Sequence, residues 1–182
     1  MPACNRPVAI RPLVILVFRS ESEDNRRNCG GGLMLPRIEY SVTVPVSVDA
    51  AFQAFLDLER LLYRGIYDAA AWVEGPPWQV GSRLRYVVVQ PGSATISAVV
   101  SSISPPRAIS LLNHGMGVTA EQNVSFGPDL KGGTRVHMMV DLIGTSSELS
   151  ETALREAVYF LVKDALDTMA ALCQRRASSA TG

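Results

Sequence analysis

The 182-residue chain carries few side chains suited to bond-making chemistry: two histidines, three cysteines and a few polar residues at apolar positions. His114 ends an apolar run beside Gly115 and Gly117. An imidazole there can titrate near neutrality and act as acid or base. It has no partner, so it stands as a weak catalytic candidate against a plain loop role. His137 falls between Val136 and Met138, on the polar side of its run, and reads as solvent-facing. Cys4, Cys29 and Cys173 are odd in number and widely spaced, without a CxxC pair or a Cys/His cluster. Neither a metal site nor any other cofactor is expected, and a reducing compartment, the cytoplasm, fits best. A Gly-x-Ser-x-Gly elbow is absent, and Gly30–Gly32 neither follows a strand nor precedes Lys-Ser/Thr. A hydrolase of that type and a phosphate loop are therefore unsupported.

The remaining candidates suit binding better than catalysis. Gln122 shares a face with Val118, Ala120, Val124 and Phe126, and a buried amide there needs a partner across the sheet or on a ligand. Tyr86 and Tyr159 can each bring a hydroxyl to an apolar space, though core packing is the plainer role. Trp72 and Trp78 bracket Glu74–Pro77 and either form a mouth or pin that loop. Met138, like Met116, is an adaptable filler of such a space. Leu112, Val162 and Leu166 complete the apolar lining expected around a ligand. Arg155 is read as reaching back to water. Phe160 points to the polar side of its helix, a candidate homodimer contact.

These residues must be positioned by elements that the hydropathy pattern outlines. Ile38, Tyr40, Val42 and Val44 alternate with polar residues, which predicts a half-buried strand over 37–44. Asp49, Phe52, Phe55 and Leu56 predict a short helix, and a second is expected over Glu59–Ile66. A short strand is expected over Trp72–Glu74. Alternating runs come next around Leu84–Val88, Ile96–Val100, Arg107–Asn113, Val118–Phe126 and Val136–Leu142, with His114–Gly117 read as a turn. The last element is a helix from about Ser150 to Arg176, capped by Thr145, Ser147 or Ser150. Its apolar face runs from Leu154 through Val158, Val162 and Leu166 to Cys173. Glu156, Lys163, Asp167 and Gln174 lie opposite, and Arg175 and Arg176 are placed at its negative end.

Composition bounds the rest. With 47% hydrophobic residues the chain can bury a sizeable core. Seventeen basic residues balance seventeen acidic ones, which argues against nucleic acid and anionic membrane as partners. The apolar run Leu13–Phe18 is too short to span a bilayer, and no stable membrane insertion is expected. Residues 1–36 lack the regular alternation that begins at residue 37. They are expected to be a disordered extension or a start assigned too early, with the native chain opening at Met34. One domain is expected over 37–176, with a disordered tail over 177–182.

In order, the pieces are RIEYSVTVPVSVDAAFQAFLDLE, WVEGPPWQVGSRLRYVV, ISPPRAISL, GGTRVHMMVDL and the amphipathic final helix. Together they resemble the START-like, or SRPBCC, helix-grip superfamily, most closely its polyketide cyclase/dehydrase and lipid-transport group. The resemblance implies an α+β fold, with a curved antiparallel sheet of about six or seven strands wrapped around a long C-terminal helix and two short helices after the first strand. It also implies an apolar cavity between sheet and helix, though members differ in function. Binding of a small hydrophobic molecule, lipid-, polyketide- or hormone-like, is the first expectation. A cyclase/dehydratase-type enzyme using His114, Gln122 or Tyr159, and a protein-interaction module, are the alternatives.

Overall fold

Residues that alternate between apolar and polar can satisfy only one arrangement, a sheet with one dry face, and seven strands adopt it. In the computed structural model, residues 37–57, 66–90, 92–145 and 149–180 are described. The strands are β1 (Arg37–Val44), β2 (Tyr67–Glu74), β3 (Arg83–Val88), β4 (Ala94–Ser104), β5 (Ala108–Gly115), β6 (Val118–Pro128) and β7 (Thr134–Thr145). Two helices complete the order, α1 (Val48–Leu56) after β1 and α2 (Glu151–Ala180) after β7. The chain divides into two units, Met1–Leu33 and Met34–Gly182. The expectations for residues 1–36, and nearly all of the helix expected over Glu59–Ile66, lie outside the described residues.

The sheet runs β1-β7-β6-β5-β4-β3-β2, antiparallel throughout. Side chains alternate across it, so paired residues share a face. Leu84, Ala98, Ala120 and Leu142 mark one row of the dry face, and Val100, Leu111, Val140 and Ile38 mark the next. The opposite face is polar. There Arg37 Nε meets Asp141 Oδ1 at 2.6 Å and Ser110 Oγ donates to Asn123 Oδ1 at 2.6 Å.

Several boundaries differ from the sequence reading. β2 begins at Tyr67, five residues before the expected strand, because Tyr67 and Ala70 already pair with Val88 and Tyr86. Its register slips at Asp68 and at Val73, bulges that blunt an edge strand. β5 runs through His114 and Gly115, so the turn is only Met116-Gly117. Both have positive φ, 53° and 70°, as a two-residue hairpin turn requires.

α1 starts where Ser47 Oγ accepts from the Ala50 amide at 3.3 Å, with Asp49 in the first turn. It buries Ala51, Phe52 and Ala54, and Phe52 packs edge-on against Phe126 at 5.3 Å between centroids. α2 is capped by Ser150, whose Oγ accepts from the Ala153 amide at 3.2 Å. Its 30 residues span roughly 45 Å, enough to cross the sheet. It lies against β1, β7 and α1. The helix continues four residues past Arg176, so Arg175 and Arg176 are not at its end. Ser178 and Ser179 hydroxyls bond back to the Gln174 and Arg175 carbonyls in these added residues. No helix among the described residues is long and apolar enough to cross a membrane.

Leu154, Val158, Val162, Leu166, Met169 and Cys173 are buried and join the sheet's dry face in one core. Asp167, expected on the solvent face, instead accepts from the Tyr40 hydroxyl at 3.0 Å and from Lys163. Lys163 also stands over the Tyr40 ring, 5.4 Å from its centroid. This cluster fastens α2 to the edge strand β1. Leu166 is fully buried, and Leu166→Ala is expected to cost about 2–5 kcal/mol by loss of burial and cavity formation. Asp167→Ala loses a half-exposed bond and is expected to cost about 1 kcal/mol. Urea unfolding of both variants checks this, and equal losses would contradict the assigned helix faces.

Candidate functional site

Where α2 crosses the dry face, large side chains do not meet everywhere. Gly115 and Ala120 on the sheet and Ala165 on the helix are small, and beside them a space opens that, counted together with the solvent at its mouth, measures about 900 Å³. Gly115 permits close backbone approach: a Cβ there would lie 2.8 Å from Ile96 Cγ1 and 3.0 Å from the Thr95 carbonyl oxygen. Val158, Leu161, Val162 and Ala165 cover the space from α2. Leu84, Ile96, Leu111, Val118, Met138, Val140 and Leu142 form its sheet wall. Phe55 of α1, Tyr67 of β2, Met116 of the hairpin turn and Trp78 also line it.

Trp78 holds an uncommon backbone conformation for a non-glycine residue, with φ at 57°. Its Nε1 donates to the Leu56 carbonyl at 2.9 Å, tying the β2–β3 loop to the end of α1. Its ring meets Trp72 at 5.1 Å and Phe55 at 6.1 Å.

One polar chain crosses this apolar wall. The Tyr86 hydroxyl donates to Asn113 Oδ1 at 2.7 Å, and Asn113 Nδ2 donates to Gln122 Oε1 at 3.1 Å. The three residues come from β3, β5 and β6, and their parity places all of them on the dry face. The Gln122 carbonyl is thus satisfied, and its Nε2 ends the chain without a partner among the described residues. The Tyr67 hydroxyl likewise has none, while its ring packs edge-on to Tyr86 at 6.2 Å. Burial pushes the Tyr67 phenol well above its ordinary range, and the negative charge of Asp164 adds to this. Burial does the same to Tyr86, with Tyr67 adding to it. Both phenols therefore remain protonated and able to donate.

Gln122 faces inward despite a bulge nearby. Between Thr119 and Ala120 the register with β7 slips, but the extra residue, Ile143, is on β7, so β6 keeps its alternation. Of the sequence candidates, Gln122, Tyr86, Met138 and Val162 are brought together around the cavity. Five others are placed elsewhere. Leu112 alternates with Leu111 and Asn113 and so projects from the outer face, opposite Glu121. His114 projects there too, exposed, its Nδ1 3.0 Å from Thr119 Oγ1. Tyr159 is 42% exposed and stacks edge-on against Tyr40. Leu166 is packed in the core away from the space. Trp72 pairs with Leu84 on the dry face, yet its neighbour Trp78 takes the place at the cavity.

Tyr67, Asn113, Phe55 and the buried Asp164 were not anticipated. Asn113 follows Ile109 and Leu111 at spacing two, a signal present in the sequence. Asp164 recurs with buried Ala157 and Thr168 and half-buried Leu161 on a second helical stripe, which widens the buried face.

Two other groupings carry little chemistry. Ser41 Oγ is 2.7 Å from His137 Nδ1, and His137 Nε2 is 3.9 Å from Glu39. This Ser-His-Glu set lies on the outer face of β1 and β7, outside the cavity, on strands whose backbones are paired with each other. Cys173 is buried and burial raises its thiol, which makes a poor nucleophile. Among the described residues, no group of three His, Cys, Asp or Glu side chains could hold a metal ion.

No protein-family profile matches the chain, and no curated protein matches it. Solved structures do. The ZhuI aromatase/cyclase from Streptomyces sp. R1128 superposes with a TM-score of 0.64 at 18% identity, over 81% of this chain and 98% of that one. A START superfamily protein from Mycobacterium smegmatis gives 0.63 at 13%, over 75% and 96%. Ara h 8.0201 gives 0.62 at 14%, over 76% and 97%. The chain has the START-like helix-grip fold. In this helix-grip frame the cavity is the space between the gripping sheet and α2, and the Tyr86–Asn113–Gln122 chain is the polar feature of its wall.

The raised phenols give a pH prediction. Unfolded tyrosine ionises at about pH 10, whereas Tyr67 and Tyr86 hold their protons in the folded state. The unfolded state then binds fewer protons above that pH, so stability is kept below it and falls as pH rises through and beyond it. Unfolding free energy measured from pH 8 to 11 is expected to decline, and less steeply in Tyr67→Phe. Equal slopes would remove Tyr67 as a buried phenol.

Proposed function

We propose that this protein binds a small, largely hydrophobic molecule between its sheet and α2, as a carrier or sensor. One observation carries the reading: a cavity with an apolar wall, in which Tyr67, Tyr86, Trp78, Asn113 and Gln122 alone among the described lining residues bear a side-chain N–H or oxygen. Removing apolar ligand surface from water contributes about 25 cal/mol per Å² before the costs of association. A few convergent polar groups that orient the ligand are the usual companion of such a wall.

Similarity to an aromatase/cyclase keeps an enzymatic reading in view. Acid-base chemistry needs a group that exchanges a proton near working pH. The described lining offers amides and protonated phenols, and His114 projects from the other face of the sheet. Binding without turnover is the better-supported reading.

Native mass spectrometry of the freshly purified protein is expected to show a co-purifying small molecule, lost on denaturation. Displacement of Nile red, a neutral apolar dye, provides the second check. Ala165→Phe places a ring in the cavity from α2 and is expected to weaken dye binding at least tenfold while the protein still melts cooperatively. Undiminished dye binding in that variant would refute the assignment of the cavity as the binding site.

A further inference from the structure

The cavity's polar groups leave two donors without a partner among the described residues. The Asn113 bond occupies the Gln122 carbonyl, so the chain ends in an N–H donor. Tyr67 presents a second donor, a hydroxyl with no partner among the described residues. Neither group bears a charge, and none of the described residues lining the cavity is ionised at neutral pH. The buried ionisable side chain beside Leu161 and Ala165 in α2 is an acid, Asp164. Its sequence neighbour Lys163 is turned away, toward Asp167 and the Tyr40 ring.

A carboxylate entering this space would leave water without a counter-charge among the described lining residues, which costs far more than a neutral hydrogen bond returns. A ketone, ester or ether oxygen loses little hydration and can accept from Gln122 Nε2 or the Tyr67 hydroxyl. An alkane leaves both donors unpaired. From these three comparisons we infer that the cavity selects uncharged ligands bearing a hydrogen-bond-accepting oxygen, and rejects fatty acids and other organic anions. The inference rests on the cavity being the binding site and adds the chemical class of what it takes.

The test compares three chains of matched length, undecan-2-one, undecane and decanoate, by displacement of Nile red at pH 7.5. The ketone is expected to displace the dye at about three- to tenfold lower concentration than the alkane, the effect of one net hydrogen bond. Decanoate is expected to need at least about a hundredfold more than the ketone, the effect of an unpaired charge. In a Gln122→Leu, Tyr67→Phe double variant the ketone's advantage over undecane should vanish, with undecane displacing the dye at least as readily as from the unmodified protein. Decanoate matching the ketone, or a ketone advantage that survives the double variant, overturns the inference and leaves the apolar cavity standing. If undecane itself fails to displace the dye from the unmodified protein, the binding site is elsewhere and both readings fall.

Discussion

One long helix, with only the short α1 beside it, has to cover the dry face of a seven-stranded sheet, and the rest of the structure depends on that mismatch. A helix with its side chains is about 10–12 Å across. It can close over the face only where side chains on both sides are long enough to meet. Phe52, Phe126, Leu166 and Met169 meet, and there the interior is packed. Near Gly115, Ala120 and Ala165 the side chains are too short, and the same burial that stabilises the fold leaves a space with apolar walls. The cavity thus comes from residue size at a few positions, set within strands and a helix that would form without it.

Such a space raises the cost of every polar group it contains. The Tyr86–Asn113–Gln122 chain meets that cost internally for all but its last amide. Each strand supplies one member, and no two are adjacent in sequence. The two amides are bonded in series, Asn113 accepting from the Tyr86 hydroxyl and donating to Gln122. The opposite face of the sheet is governed by water instead. There Arg37, Asp141, Ser41 and His137 pair across strands at little consequence, because solvent competes for each bond.

Much of this was legible in the sequence because strand parity is local. Val118, Ala120, Gln122, Val124 and Phe126 share a face by spacing alone, and the bulge that would have reversed them falls on the partner strand. The same logic applied to β5 places Asn113 inward and Leu112 outward, so Leu112 was open to correction from its own neighbours. β2 was harder to see. Its Ala69-Ala70-Ala71 run has weak strand preference, and two bulges break its alternation. The helix pattern showed its main apolar stripe, but a 3.6-residue period says little about width, which is why Asp164 and Asp167 were misjudged or missed. Tyr159, Leu166 and Trp72 required knowledge of where packing ends and empty space begins. That depends on residues far apart in the chain, and no local pattern carries it.

Methionine methyl groups report on this account directly, because they sample both faces of one strand. Met138 and Met139 are neighbours on β7 with opposite orientation; Met138 and Met116 line the cavity, while Met139 pairs with Glu39 and Asn123. In protein labelled at methionine methyls, a titration with undecan-2-one followed by NMR is predicted to shift Met116 and Met138 in saturable fashion and leave Met139 in place. Shifts at Met139 with Met116 and Met138 unmoved would put the ligand on the outer face and contradict the account.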